Sequence, residues 1–159
     1  MTNSPNILVY GFGNPGRMDD GLGVYLAGKI AEWAERNGMA NVHTDSNYQL
    51  NIEDADVIKD YDIVVFADAS VEELGHGFSV TKLDGVKELS FTTHEASPGY
   101  VVCLCSSLFG YIPESYLLHI KGYEWNLKEG LSAKGQNNLE KAFSLMKKYL
   151  KHPEQLTKT

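Results

Sequence analysis

From Ile7 to Ala67 the chain alternates short apolar runs with stretches of helical periodicity, an order that restricts it to an α/β design with parallel strands. Ile7 to Tyr10 is an apolar run ending in Gly11, the pattern of a buried strand that stops at a tight turn. Leu22, Leu26, Ile30 and Trp33 then recur at helical spacing; Asp19 or Asp20 is read as the start cap and Asn37-Gly38 as the close. Val42 to Ser46 is expected to be a second strand. Asn51 is expected to cap a short helix through Lys59, with Glu53 and Asp54 in its first turn, and Ile63 to Ala67 to be a third strand. Right-handed crossovers then give the local strand order 2-1-3, with helices on both faces of the sheet.

Phe78 to Leu83 reads as an edge strand, Ser97-Pro98 as the start of a helix reaching about Phe109, and Leu117 to Tyr123 as a fifth strand. Ser132 is placed as the cap of a last helix, along which Leu139, Ala142, Phe143, Met146 and Leu150 form one apolar stripe; Pro153 forbids its continuation. The tail from Glu154 to Thr159 is expected to be disordered. The expected architecture is a three-layer α/β/α sandwich around a mostly parallel, five-stranded twisted sheet. It forms one domain over residues 1–159, with an ordered core from about residue 6 to 150.

Composition narrows the function classes. No run approaches the roughly 20 apolar residues of a spanning helix, and the polar, uncharged start lacks the form of a secretory signal. A cytoplasmic protein without a membrane partner is therefore expected. Cys103 and Cys105 would point to different faces of a helix, so buried free thiols are expected rather than a disulfide. A formal charge of -7 argues against a nucleic-acid partner, and Lys147, Lys148 and Lys151 read as one solvated helix face.

In a sheet of this kind ligands bind beyond the carboxyl ends of the strands, where neighbouring connections leave to opposite faces. The loop after the first strand runs from Gly11 to Gly23 and contains Asp19 and Asp20, while the third strand ends in Phe66-Ala67-Asp68. Asp20 and Asp68 are thus expected to face one another. His94, in the Thr92 to Glu95 loop before the Ser97-capped helix, can reach the same edge. Two carboxylates and an imidazole could hold a divalent ion such as nickel, zinc or manganese and leave positions open for water or substrate. Each residue also has a plain alternative: a helix cap for Asp19 or Asp20, a turn former for Asp68, a bystander for His94.

Gly11, Gly13 and Gly16 satisfy the G-x-G-x-x-G spacing of a dinucleotide-binding module, with Asp45 available as a ribose acid. Against that reading, the following helix opens with Asp19 and Asp20, whose charges would repel a pyrophosphate. The segment Gly11 to Gly16 also resembles the early loop of peptidyl-tRNA hydrolases. Met18-Asp19-Asp20 stands where that family has a histidine, and the acidic charge suits a tRNA substrate poorly.

The whole string Gly11-Phe12-Gly13-Asn14-Pro15-Gly16-Arg17-Met18-Asp19-Asp20-Gly21-Leu22-Gly23 resembles the opening motif of the hydrogenase maturation proteases. These enzymes process the large subunit of nickel-iron hydrogenases. Further similar segments are Tyr48-Gln49-Leu50, Asp68-Ala69, His94 with Ser97-Pro98, Gly122-Tyr123-Glu124 and Gly130-Leu131-Ser132, so that the resemblance spans Ile7 to Leu150. Asp20 stands where members often carry glutamate, and Trp125 where proline is common.

The resemblance implies a phosphorylase/hydrolase-like fold and an endopeptidase of aspartic type. It would remove the C-terminal extension of the large-subunit precursor after nickel insertion and thereby activate the hydrogenase. It implies Asp20, Asp68 and His94 as the catalytic and metal-contacting residues, with nickel supplied by the substrate and zinc or cadmium able to substitute. The partner would be the hydrogenase large-subunit precursor, met by a monomer or weak homo-oligomer. Asn14 is expected either to stabilise its turn or to donate to the developing oxyanion, a role worth about 2.7 to 4 kcal/mol.

Overall fold

The structure, a computed structural model, describes residues 4–83 and 97–157. Five strands lie in the order β2-β1-β3-β5-β4, formed by Val42–Asn47, Ile7–Phe12, Ile63–Ser70, Glu114–Lys121 and Phe78–Lys82 respectively. β1 pairs in parallel with β2 and β3, and β3 with β5; β4 closes the far edge antiparallel to β5. The mostly parallel sheet, its 2-1-3 core and the edge position of β4 match the sequence reading.

Alternate residues of the central strands serve two separate apolar layers. Ile7, Val9, Ile63, Val65 and Ala67 pack with Leu22, Leu26 and Ile30 of α1 (Leu22–Arg36) and with Leu139, Met146 and Leu150 of α4 (Ala133–Lys151). Leu8, Tyr10, Val64 and Phe66 pack on the other face with Ile58 of α2 (Asp54–Ile58) and with Val101, Val102 and Cys105 of α3 (Pro98–Phe109). Strands apolar on both faces need a helix layer on each side, which explains why β1 and β3 read as continuous apolar runs. Cys103 and Cys105 are buried free thiols. Among the described residues no helix is long and apolar enough to cross a membrane.

Several boundaries differ from the reading, each for a local reason. α1 starts at Leu22 behind Gly21 without a side-chain cap, because Asp19 and Asp20 are engaged elsewhere. Asn51 does not cap α2. Its backbone N–H instead donates to Asp54 Oδ2 at 2.8 Å, while the buried Tyr10 hydroxyl donates to both Asp54 oxygens at 3.1 Å. β5 begins three residues earlier than the apolar run Leu117 to Tyr123, at Glu114, because the successive residues Ser115 and Tyr116 are both buried between the flanking layers. Ser97 and Ser132 do cap α3 and α4, accepting from the N–H groups of Tyr100 and Gly135. Up to residue 157 the tail expected to be disordered is ordered: α5 (Pro153–Leu156) folds back and buries Leu156 in the α1/α4 layer.

Candidate active site at the carboxyl edge of the sheet

At the point where α1 leaves β1 for one face and α2 leaves β2 for the other, the chain must pass very close to the sheet. A methyl group at Gly11 would collide with the Gly23 carbonyl, and one at Gly23 with the Ala67 carbonyl. The two glycines therefore seat the first turn of α1 directly on the ends of β1 and β3. This accounts for both as packing devices. Gly13 is a different case: its φ of 137° lies in the region that disfavours any side chain.

Between strand and helix runs a tight 3-10 segment, Pro15–Gly21. Asn14 caps it, its Oδ1 accepting from the Gly16 N–H at 2.8 Å, so the side-chain oxygen of Asn14 stabilises the turn. Met18 breaks the segment with φ 49° and ψ -117°, an expensive conformation for a buried, non-glycine residue. The kink is fixed from outside by Lys128, whose carbonyl accepts from the Met18 N–H at 2.9 Å. It lets two consecutive acids serve different purposes.

Asp19 has no solvent exposure. Its carboxylate accepts from Ser132 Oγ at 2.6 Å, from the N–H groups of Tyr123 and Ser132 at 2.7 and 2.8 Å, and from that of Glu124 at 3.2 Å. Burial alone would raise its pKa, but these donors outweigh burial and hold it below the usual carboxylate value. Asp19 is thus neither a helix cap nor a ligand, but the tie between the Pro15–Gly21 segment and the loop from β5 to α4. Sequence reasoning missed that role, although Gly122-Tyr123-Glu124 and Gly130-Leu131-Ser132 had been singled out for their resemblance alone.

Asp20 turns the other way. Its Oδ2 accepts from the Asn14 N–H at 2.8 Å, which fixes the carboxylate beside the turn after β1. Asp68 lies near the end of β3, one residue past the Gly11–Ala67 register pair. Its pKa is raised to about 7 by burial, opposed by the Ala69 N–H and reinforced by the nearby Asp20 carboxylate. The two acids expected to face one another are therefore close enough to sense each other's charge. Such a pair disfavours full ionisation and is relieved by a cation or a shared proton between its members.

His94 falls in residues 84–96, outside the described residues. Among the described residues no group of three or more His, Cys, Asp or Glu side chains is arranged to hold a metal ion. The neighbourhood of Asp68 does include His119, its register partner on β5, whose pKa burial lowers against the opposing charge of Glu72. His119 lies inside the strand expected from the sequence, and nothing local separates it there from the other histidines.

Asp45, considered as a ribose acid, is exposed at the end of β2 and accepts from the Ser46 N–H next to it. No family model matches the chain, and neither does any curated protein sequence. Solved structures do. A [NiFe] hydrogenase maturation protease HycI from Thermococcus kodakarensis superposes with a TM-score of 0.73 at 24% identity, over 94% of this chain and 96% of that one. The hydrogenase maturating endopeptidase HybD from E. coli gives 0.71 at 20% identity, over 93% of each chain. A hydrogenase 2 maturation peptidase from a Thaumarchaeota archaeon gives 0.65 at 21%, over 91% of this chain and 97% of that one. Over nearly its whole length, this chain has the fold of the hydrogenase maturation proteases.

Proposed function

We propose that the chain is an endopeptidase that removes the C-terminal extension of a nickel-iron hydrogenase large-subunit precursor once nickel has been inserted. The observation that carries this reading is the pairing of Asp20 with Asp68 at the carboxyl edges of β1 and β3. It occurs in a fold shared with proteins that are themselves hydrogenase maturation proteases. His94 is proposed as the third member of the set, and nickel as part of the substrate rather than a resident cofactor.

The donor set suits such an ion. Asp20 and Asp68 offer hard oxygen donors, and the raised pKa of Asp68 marks a carboxylate whose charge lacks compensation. A divalent ion bound there would polarise the scissile carbonyl or acidify a water. The chain's own groups do the rest. The Asn14 N–H orients Asp20, and a carboxylate oxygen of Asp68 can accept a proton from the attacking water and return it to the leaving amine.

The test is cleavage of a nickel-loaded large-subunit precursor, read by mass spectrometry of the released C-terminal peptide. Asp20→Asn, Asp68→Asn and His94→Ala should each lower the rate by ~100-fold or more while leaving the circular dichroism spectrum unchanged. A precursor without nickel should stay uncut. Failure of the unaltered protein to cut the nickel-loaded precursor would reject the reading.

A further inference from the structure

An open hollow of about 300 Å³ lies next to the turn that presents Asp20, lined by Gly13, Pro15, Val24, Ser46, Asn47 and Tyr48. Its walls come from three places: the turn after β1, the first turn of α1, and the end of β2 with the bend that follows. The Gly13 N–H donates to the Asn47 carbonyl at 3.1 Å, which fixes two of these walls to each other. Three other hollows of similar size lie elsewhere: between the end of α1 and β2, at the amino edge of the sheet near Pro153, and beside Lys147 and Lys151. Unlike them, this one adjoins the candidate site. Gly13 forms its inner wall, and a Cβ there would sit only 3.8 Å from the Asp20 carboxyl carbon.

We infer that this hollow is the side-chain subsite of the proposed peptidase, and that it takes one large uncharged side chain, aliphatic or aromatic, from a residue flanking the scissile bond. The inference rests on the peptidase reading. A peptide whose carbonyl lies against Asp20 has the hollow within one residue's reach, because a single glycine separates the two. Pro15, Val24 and the Tyr48 ring provide apolar walls. The polar lining residues, Ser46 and Asn47, are uncharged, and Asn47 Oδ1 already accepts from the Tyr48 N–H at 2.8 Å. In the proposed complex the nearby Asp20 carboxylate serves the substrate's ion, so a charged side chain entering the hollow would give up water without gaining a counter-charge. The volume stands at the lower end of the range for small-molecule sites, about 300 to 1,000 Å³, which fits one side chain better than a larger ligand.

The experiment measures kcat/KM on the nickel-loaded precursor with Ala, Leu, Phe or Lys placed in turn at each residue flanking the cleaved bond. Unaltered protein should prefer Leu or Phe over Ala and Lys by about tenfold or more at one of the two positions. Val24→Phe, which fills the hollow from α1, should abolish or invert that preference. Ser46→Trp, at the exposed end of β2, is a second way to fill it and should act alike, so a folding defect of Val24→Phe does not decide the matter. Indifference to side-chain size, a preference for Lys, or an unchanged preference in both filled variants overturns the subsite and leaves the peptidase reading standing. If no precursor is cut by the unaltered protein, the peptidase reading falls and takes the subsite with it.

Discussion

Asp19 is a buried carboxylate whose four donors come from a loop more than a hundred positions away in sequence, and removing it strands those donors. Asp19→Ala should cost about 3 to 5 kcal/mol of unfolding free energy, the scale of leaving a buried, charge-assisted cluster half made. Urea denaturation would measure it, and a loss under 1 kcal/mol would show that the loop is held by other contacts. Asp20→Ala, one residue on, should be mild by the same measure, since it removes a single partly buried bond to the Asn14 N–H. Two adjacent acids of one type thus separate into a stability residue and a residue proposed to act on substrate. The division depends on the backbone kink at Met18 rather than on the side chains themselves.

Among the elements, α1 is the one whose placement the site depends on most. Gly23→Ala would drive a methyl group into the Ala67 carbonyl, so α1 must lift away from β3. We expect a loss of about 1 to 3 kcal/mol in thermal unfolding, together with a fall in cleavage larger than that instability explains. Ser132 holds the same turn from the side of α4. Its hydroxyl accepts from the Gly135 N–H at 3.0 Å at the start of α4 and donates to Asp19. Ser132→Ala therefore removes a cap and a tie together and should cost more than the ~1 kcal/mol of an ordinary capping change.

For the whole molecule, pH reports on the carboxylate pair. Asp68 keeps its proton to about 7 in the folded chain, against about 3.9 in an unfolded one. Between those values the folded state binds more protons, so metal-free protein should lose stability as pH rises from about 4 to about 7 and level off above. Asp68→Asn should flatten that slope and be more stable than the unaltered protein at pH 8, by ~2 to 4 kcal/mol. Melting temperatures across that range would decide it, and a slope unchanged by the substitution would contradict the burial of Asp68.

The sheet order and the Asp20–Asp68 encounter were legible because both follow from the alternation of apolar runs and from the switch-point rule. The role of Asp19 was not legible, because its partners are backbone N–H groups of a distant loop, and main-chain donors leave no mark in a sequence. α5 was missed for a related reason: nothing local distinguishes Leu156 from a residue in a frayed tail, and its burial is conferred by the α1/α4 layer it returns to.

The tie through Asp19 makes the candidate site a late product of folding. Ser132 lies 113 positions beyond Asp19, so the kinked turn that presents Asp20 gains its anchor only when β5 and the start of α4 are in place. A nascent or truncated chain ending before Ser132 would carry both paired acids in its sequence and still lack the bonds that aim one of them. For the proposed peptidase, that arrangement delays competence until the chain has itself finished folding.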